Sequence, residues 1–571
     1  MSAAQVELCR PVEVLRDGNR ITECSAYASY CKPLTVNSGS NNTGVSINGF
    51  LNDQYTWYDS NCLPRSVALA RNDTRKGGNA KQFTYTPVVN GVANPALTVN
   101  PGSQAGGFGY VVAHLANPSF ANAYGKDDSP LGSGSNATYT KLFVGSNHAI
   151  HQYTLNYVRY GMTQAATTAY LDYLNGGPTP VFLPWDGLNS CPGDPNCKYV
   201  TVYNMPVTIH WMFATGRDYP VWSVTFDLSQ APDYAVDSDF RAPYGDMLVD
   251  GGSGTDKVGG VGWGDEYEFF SSTTPFTMNS AWDYSRLNYR APYDYLWTNT
   301  TKAEMGLAGT QILANQNAGG YNNYYGGSGT YKSGETSNNL RGNTSASMGP
   351  CYDDRGDIRP GFTHLMPCMS DWAYQLMQYS LTSANPTTTD KRLAWGADWG
   401  SLGYGSLRTI NEYTAKGWPK VSYSVYVVLD NHANNATQTM AEQAEVISLT
   451  TVTATVGSVV KSGPAGVGRS DPMTYSPAGY SPLYGTWEVN ASDNEATLTF
   501  DVGSKAPSTL NTPVIVVHNY TKTAAPKTIL YDGNILTANK GYFASLRPDL
   551  SELWITLNEK LKGAHTVKIL N

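Results

Sequence analysis

The chain has few charged residues and no long apolar run, and both shortages exclude classes of protein. Only 15% of its 571 residues are charged, against roughly 25% in an average soluble domain. Asp and Glu (46) outnumber Lys and Arg (38), which gives a formal charge of -8. A nucleic-acid partner is therefore not expected, because binding to nucleic acid requires a basic excess. No stretch of about 18 apolar residues occurs, so the sequence predicts no membrane-spanning segment.

Tyrosine, tryptophan, glycine and proline are abundant instead. The sequence holds 40 Tyr and 13 Trp against 15 Phe, together with 56 Gly and 32 Pro. This many aromatic rings excludes disorder of the kind driven by low hydrophobicity. The composition also lacks the dominance of Ala, Glu, Lys and Leu that is typical of a coiled coil. The chain is therefore predicted to be a large folded protein rich in strands and turns.

The length predicts more than one domain, because single cores stop growing near roughly 250–300 residues. We expect a large β-rich domain over residues 1–494 and a small domain over residues 495–571. The large domain includes a cysteine-bearing N-terminal part, about 1–75, and a loop rich in Gly, Asn and Tyr over about 306–349. This loop has too few aliphatic residues to form a core, and long loops of this kind are usually functional or disordered.

The eight cysteines predict disulfides rather than a metal site. No C-x2-C pair occurs and no His lies beside a pair at zinc-finger spacing. The local pairs Cys191–Cys197 and Cys351–Cys368 are the two disulfides that spacing predicts. The other four cysteines allow three connectivities, and the sequence does not choose among them: Cys9, Cys24, Cys31 and Cys62.

Disulfides imply an oxidising compartment, so we expect a secreted, periplasmic or cell-surface protein. The first residues have no basic start followed by an apolar stretch, and we expect that an export signal has been removed. Eight sequons permit N-glycosylation without demonstrating it, at Asn41, Asn72, Asn136, Asn299, Asn343, Asn435, Asn490 and Asn519.

Alternating apolar and polar residues predict a hairpin over residues 207–228, with a turn at 215–218. Trp211 and Trp222 fall on the apolar face of its two arms, and His210 falls on the polar face. Further strands are predicted over 149–159, 199–203, 423–429, 446–456, 496–502, 513–518 and 553–557, and helices over 302–314, 370–380 and 439–445. The predicted fold class is mainly β: a large β-sandwich or supersandwich-like domain followed by a small C-terminal Ig-like β-sandwich.

Carboxylates and aromatic rings are densest between residues 237 and 294. Glycoside hydrolysis needs one protonated and one ionised carboxyl group, with aromatic faces that stack on sugar rings. The alternative is that these carboxylates cap turns or face solvent, since none lies in a diagnostic motif. The predicted catalytic set is Asp246, Asp250, Asp265, Glu266 and Glu268, and the predicted substrate-binding set is Trp263, Trp282, Tyr244, His210, Arg217 and Arg241.

Within this region, a strand over 262–270 would place Trp263 and Asp265 on one face and Glu266 and Glu268 on the other. The leading hypothesis is a secreted glycoside hydrolase that acts on a neutral or weakly charged polysaccharide. No cofactor is expected. The oxygen-rich segments 250–256 and 353–357 are weak Ca²⁺ candidates, because neither matches an EF-hand loop.

Two other functions remain open. In a polysaccharide lyase, Arg217 would neutralise a uronate carboxylate while His210 or a tyrosine removes the adjacent proton. The negative net charge weakens this reading, because an anionic polymer would be repelled unless the cleft is locally basic. A non-enzymatic glycan-binding or structural assembly protein is the second alternative. Tyr, Asn and Gly interleaved over 315–331 are typical of binding loops.

Overall fold

A computed structural model gives the architecture of the protein. It describes the following residues: 9–16, 19–26, 30–38, 45–47, 49–71, 79–101, 107–113, 137–162, 177, 200–227, 229–230, 240–249, 258–264, 268–271, 293–311, 337–340, 373–382, 385–397, 420–463 and 474–571.

Strands dominate the described residues up to position 300. They are β1 (Cys9–Arg16), β2 (Asn19–Ala26), β3 (Thr35–Ser38), β4 (Val45–Ile47), β5 (Phe50–Tyr58), β6 (Pro64–Ala70), β7 (Ala80–Tyr85), β8 (Val88–Val89), β9 (Val92–Ala93), β10 (Leu97–Pro101), β11 (Gly107–Ala113), β12 (Thr138–Val144), β13 (His148–Met162), β14 (Val200–Ala214), β15 (Val221–Asp227), β16 (Phe240–Leu248), β17 (Val258–Gly264), β18 (Glu268–Ser271) and β19 (Tyr293–Thr298).

The same pattern continues to the C-terminus, with an α-helix, α1 (Ala436–Ser448), after β24. The remaining strands are β20 (Ala303–Gly309), β21 (Ser337–Leu340), β22 (Ala373–Thr382), β23 (Asn385–Ala397), β24 (Lys420–Asn431), β25 (Thr450–Val456), β26 (Ser458–Val459), β27 (Tyr480–Ser481), β28 (Thr486–Asn490), β29 (Ala496–Val502), β30 (Leu510–Asn511), β31 (Val514–His518), β32 (Thr528–Tyr531), β33 (Asn534–Ile535), β34 (Tyr542–Arg547), β35 (Glu552–Leu557), β36 (Lys560–Leu561) and β37 (Gly563–Leu570).

The protein is mainly β, as predicted, and its strands form several antiparallel sheets. An eleven-stranded sheet has the order β21-β22-β23-β16-β10-β7-β6-β5-β3, with β11 and β4 paired alongside this path. A nine-stranded sheet has the order β12-β13-β14-β15-β24-β20-β19-β17-β18. The C-terminal part forms a six-stranded sheet, in which β28 and β31 are parallel, and a five-stranded sheet ordered β25-β29-β37-β32-β33. No helix among the described residues is long and apolar enough to cross a membrane.

One face of the nine-stranded sheet packs on the eleven-stranded sheet through aromatic rings. Phe213 of β14 stacks on Tyr55 of β5, with 4.8 Å between ring centroids. Trp211 and Trp222 are opposite each other in the β14–β15 hairpin, and both are fully buried. The indole Nε1 of Trp222 donates to the carbonyl of Gly109, 2.8 Å away. The predicted hairpin and its apolar face are therefore confirmed.

The opposite face of the nine-stranded sheet packs on the six-stranded sheet. Met212 and Val428 meet Val514, Val516 and Trp554 in one apolar cluster. Because side chains alternate along a strand, the neighbours of Val514, Val516 and Trp554 on β31 and β35 point the other way, into a second core. That core lies between the six- and five-stranded sheets and includes Ile515, Val517, Ile555, Phe500 and Val567.

Two predicted helices are strands. Residues 370–380 contribute to β22, which pairs with β23 from Ala373↔Ala397 onward. Residues 302–314 contain β20, which pairs with β19 on one side and β24 on the other. All seven residues of β20 are buried, and a strand buried on both faces shows no alternation that would separate it from a helix. The helix predicted over 439–445 is confirmed as α1, and it ends inside the segment 446–456 that was predicted to be a strand.

A disulfide joins Cys31 and Cys62, with 4.7 Å between their Cα atoms. This selects one of the three connectivities that the sequence left open. Cys9 and Cys24 lie on β1 and β2, which pair with each other. The predicted disulfides Cys191–Cys197 and Cys351–Cys368 lie outside the described residues.

The C-terminal sheets include residues on both sides of the predicted boundary at 494/495. Strand β25 pairs with β29, from Thr450↔Val502 to Val456↔Thr497. The chain therefore enters the five-stranded sheet directly after α1. The division into domains stays a prediction.

Candidate functional site

A cavity of about 340 Å³ lies where the turns after β5 and β14 and helix α1 meet the C-terminal strands. We call it the interlayer cavity. Its volume falls within the range of roughly 300–1,000 Å³ that ligand sites have. Acidic and basic residues line it in equal number: Asp59, Asp218 and Asp430 against Arg65, Arg217 and Lys560. The lining therefore carries no excess of either charge.

Two of the carboxylates are held side by side by a tight turn. Oδ1 of Asp59 accepts from the backbone N–H groups of Asn61 and Leu63, each at 2.9 Å, which closes the turn after β5. Oδ1 of Asp218 accepts from the N–H and the hydroxyl of Ser60, at 2.9 and 2.7 Å. Oδ2 of Asp218 receives no hydrogen bond within the described part of the chain. Asp218 thus presents one uncommitted oxygen at the cavity.

Arg65 connects Asp59 to the third carboxylate, Asp430, and each of its three guanidinium nitrogens lies within 4 Å of a protein oxygen. Its Nε lies 3.2 Å from Oδ2 of Asp59, and its Nη2 lies 3.8 Å from Oδ2 of Asp430. Its Nη1 donates to the carbonyl of Leu429 at 2.8 Å. The guanidinium also lies over the ring of Tyr219, 5.1 Å from its centroid. Arg65 is buried, so these partners replace the water that its charge has lost.

Asp430 is fully engaged with protein donors. Its Oδ2 accepts from the hydroxyl of Tyr219 at 2.5 Å. Its Oδ1 accepts from the N–H of Asn431 at 2.7 Å and from Nδ2 of Asn434 at 2.8 Å. This carboxylate fixes the wall of the cavity where β24 leads into α1.

The carboxyl group of Asp59 exchanges a proton in mildly acidic solution. Burial raises its pKa to about 6, although the charge of Arg65 opposes this shift, and the nearby charge of Asp218 adds to it. When Asp59 is protonated, Arg65 keeps Asp430 as an ionic partner. The cavity therefore contains a carboxyl group with elevated proton affinity next to a carboxylate with a free oxygen, which is the combination that acid–base chemistry requires.

Aromatic rings and amides complete the cavity. Tyr426, Tyr480 and Trp487 contribute ring surface, and the rings of Tyr480 and Trp487 lie 5.2 Å apart. Gln443 of α1 accepts from the N–H of Asn511 at 2.9 Å, which ties the helix to the C-terminal strands. A cavity with rings, amides and balanced charge suits a neutral polar molecule better than an ion.

Arg217, predicted to bind substrate, does line the interlayer cavity. It lies in the predicted turn after β14, and this turn is confirmed. Its Nη1 donates to the carbonyl of Tyr484 at 2.9 Å, and its Nη2 donates to the carbonyl of Gly485. The guanidinium also lies over the ring of Tyr426. These contacts leave Arg217 engaged with backbone carbonyls instead of facing a ligand carboxylate.

His210 contacts the same C-terminal segment from the polar face of the hairpin. Its Nδ1 and the hydroxyl of Tyr484 lie 2.9 Å apart, and its Nε2 lies 2.9 Å from Oε1 of Gln152. Burial, together with the charge of Arg547, lowers its pKa to about 4. The structure therefore brings His210 and Arg217 to one segment, with the imidazole neutral and both of its nitrogens engaged.

The predicted residues on β16 belong to the eleven-stranded sheet: Arg241, Tyr244 and Asp246. Asp246 is opposite Gly107 of β11 on one side and Arg392 of β23 on the other. Directly paired residues share a face of the sheet, so Asp246 and Arg392 occupy the same face.

Trp263 and Glu268 belong to the nine-stranded sheet, on β17 and β18. The segment 262–270 is a hairpin rather than one strand, because Gly264 pairs with Glu268 and Trp263 pairs with Phe269. Trp263 and Glu268 therefore occupy opposite faces. The described backbone thus divides the predicted carboxylate set between two sheets.

Several predictions lie outside the described residues. They are the site residues Asp250, Asp265, Glu266 and Trp282, the two Ca²⁺ candidate segments 250–256 and 353–357, the loop over 315–331 and the sequons at Asn41, Asn72, Asn136 and Asn343.

Sequence reasoning missed Asp59, Asp218, Asp430 and Trp487. Asp218 ends the predicted turn, and this position was the one available signal. The others come from segments far apart in the sequence, so no local window contains two of them. Within the described part of the chain, no group of three His, Cys, Asp or Glu residues is placed to hold a metal ion.

No protein-family model and no curated protein matches this chain.

Proposed function

We propose that this protein is a secreted glycoside hydrolase, and that the interlayer cavity binds one sugar unit of a neutral or weakly charged polysaccharide. The observation that carries the proposal is the adjacency of Asp59 and Asp218 in a cavity of about 340 Å³. Aromatic rings at the same cavity supply surfaces for sugar stacking. The disulfide Cys31–Cys62 supports an oxidising compartment.

In this proposal Asp218 is the nucleophile or general base, because its Oδ2 is uncommitted. Asp59 is the general acid and gives its proton to the glycosidic oxygen. Activity then requires protonated Asp59, so kcat/KM falls as pH rises above about 6. The carboxylates Asp246, Asp250, Asp265, Glu266 and Glu268 remain the competing catalytic set.

We also infer that the large part of the chain is a β-sandwich or supersandwich and that the C-terminal part is a small Ig-like sandwich. The face-to-face packing of four sheets supports this inference. Fold analogy alone does not establish a function, so the site carries the argument.

The experiment measures reducing-sugar release over a panel of neutral polysaccharides, with wild type and Asp218→Asn. Loss of a catalytic carboxylate lowers the rate by about 10²–10⁴-fold, while the amide preserves the hydrogen bonds to Ser60. Asp227→Asn is the matched control, because Asp227 lies outside the cavity and accepts from the N–H of Ser229 in a turn. It is expected to keep full activity.

The alternatives give different results in the same assay. Full activity of Asp218→Asn, with loss of activity in Asp246→Asn or Glu268→Gln, would move the site to β16–β18. Saturable binding without product would indicate the non-enzymatic glycan-binding protein. Release of an unsaturated, ultraviolet-absorbing product from a uronate polymer would indicate the lyase.

A further inference from the structure

The outer edge of the five-stranded sheet is formed by β25, Thr450–Val456. This strand pairs with β29 on one side, and within the described residues it has no strand on the other. Its sequence is Thr-Thr-Val-Thr-Ala-Thr-Val, without charge, proline or glycine. A strand of this kind presents unpaired N–H and C=O groups and has high β propensity, so it is a template for another strand.

Three other described sheet edges in this protein, β33, β34 and β12, are blunted. The opposite edge of the same sheet, β33, is two residues long. The edge strand β34 is covered, since Nδ2 of Asn147 donates to the carbonyl of Ala544 at 2.9 Å. The exposed edge strand β12 carries a charge, Lys141, and its register with β13 shifts directly after that residue. A charge of this kind opposes edge-to-edge pairing. The register of β25 with β29 also shifts, between Ala454 and Val456, but β25 carries no charge.

The exposure along β25 matches a docking edge. Thr451, Thr453 and Thr455 are exposed, while Val452 and Ala454 pack against the core behind them. Leu449 and Val456, directly before β25 and at its end, are among the exposed large hydrophobic residues. Apolar side chains at both ends of an uncharged edge add contact area to the ladder.

The β25 sequence is nearly palindromic about Thr453. If two copies pair antiparallel about a two-fold axis at this residue, Thr453 meets Thr453 and Thr451 of one copy meets Thr455 of the other. Val452 then meets Ala454, and each such pair occurs twice. Cross-strand Thr–Thr pairs and pairs of β-branched residues stabilise antiparallel sheets. The absence of charge also matters, because two chains with a net charge of -8 meet here without like charges in contact.

We propose that β25 is a homodimer interface, in which two five-stranded sheets join edge to edge into one continuous ten-stranded sheet. The occupant is a second copy of this chain, since a self-complementary edge produces a closed two-fold contact. No residue of β25 lines the interlayer cavity, and the proposal does not depend on the proposed function.

The test measures molar mass by light scattering coupled to size-exclusion chromatography, over a range of protein concentrations. Wild type is expected at twice the chain mass. Thr453→Lys places two like charges opposite each other at the two-fold axis, and we expect at least a tenfold rise in the dimer dissociation constant. Thr453 is exposed, so thermal unfolding of the variant is expected to match that of wild type.

Thr140→Lys is the matched control, because Thr140 is an exposed threonine on the edge strand β12. This variant is expected to remain dimeric. Hydrogen exchange adds a local readout: the amides of 451–455 are expected to exchange more slowly at high protein concentration. A wild-type protein that stays monomeric would overturn the proposal. So would a dimer that Thr453→Lys leaves intact, or protection of 451–455 that requires added peptide of another protein.

Discussion

The two faces of the nine-stranded sheet are built differently. Toward the eleven-stranded sheet, the contact consists of large rings such as Trp211 and Phe213, both fully buried. Toward the six-stranded sheet, apolar residues share the contact with His148, His210 and Arg217, and the interlayer cavity lies at its end. The first face is a close-packed core, and the second is a core interrupted by hydrogen-bonded polar groups.

The difference indicates where a ligand can be accommodated. Close-packed rings leave no space and tolerate no change in volume. In the second face, His148, His210 and Arg217 each have a hydrogen-bond partner in the C-terminal part, as Nδ1 of His148 does in the hydroxyl of Ser545 at 2.9 Å. The stability of the second face therefore depends on specific hydrogen bonds and on pH, whereas the stability of the first depends on the volume of its side chains.

The largest loss of stability is expected from a substitution in the first face. Trp211→Ala removes a fully buried indole and leaves a cavity, so we expect the free energy of unfolding to fall by about 3–5 kcal/mol. Urea denaturation at pH 7 measures it. Leu550→Ala is the control: Leu550 is 52% exposed, and its loss is expected to change stability by less than about 0.5 kcal/mol. A loss below about 1 kcal/mol for Trp211→Ala would contradict the close packing of this face.

The second face is expected to weaken in acid. Burial, together with the charge of Arg217, lowers the pKa of His148 to about 3, below the ordinary value of 6.5. Between these two pH values His148 binds a proton in the unfolded chain but not in the folded chain. The free energy of unfolding therefore falls as pH drops below 6.5 toward 3. At pH 5 this amounts to about 2 kcal/mol per such histidine.

His148→Asn is expected to remove that share of the pH dependence. Unfolding free energies of wild type and variant are compared at pH 8 and pH 5. Asp59 titrates in the opposite sense, because its raised pKa favours the folded state on acidification, but it contributes equally to both proteins. An unchanged difference between pH 8 and pH 5 in the variant would show that His148 accepts a proton in the folded protein.

The smallest effect is expected at His518, a histidine of opposite behaviour on the same six-stranded sheet. Its Nε2 lies 3.3 Å from Oε2 of Glu488, and its Nδ1 lies 3.3 Å from Oε1 of Glu552. Burial alone would lower its pKa, but these two carboxylates outweigh burial and raise it to about 9. Its stabilising contribution is complete below pH 6.5 and is lost as pH rises through 9.

His518→Gln is expected to cost about 1 kcal/mol at pH 7, since the imidazole is partly exposed and water screens its charge. The difference from wild type is expected to disappear at pH 10. Urea denaturation at both pH values measures this. A difference that persists at pH 10 would assign the effect to packing instead of charge.

The strand content and the β14–β15 hairpin were predictable because both follow from alternation within a few residues. Trp211 and Trp222 fall on the buried face for this reason. The strand β20 was not predictable from the sequence, because its burial on both faces removes the alternation of apolar and polar residues. The pairing Cys31–Cys62 was open in the sequence, since spacing alone permits three connectivities.

The candidate site was harder to predict for a related reason. Asp59, Asp218 and Trp487 are ordinary residues of turns and strands in their local sequence. The first two become neighbours where the turns after β5 and β14 meet, and Trp487 joins them where the C-terminal strands pack on the nine-stranded sheet. The carboxylates between 237 and 294 looked more promising because they are close in sequence. Asp246 and Glu268 nevertheless belong to different sheets, although they are close in sequence.

The hydrogen bond from Arg65 to the carbonyl of Leu429 joins residues 364 positions apart. Contacts of such long range form late, because the chain between them must be ordered first. The interlayer cavity is therefore expected to be among the last parts of the molecule to form during folding. During synthesis on the ribosome, most of the protein is made between Arg65 and its partners on β24, so these contacts cannot form until late in translation.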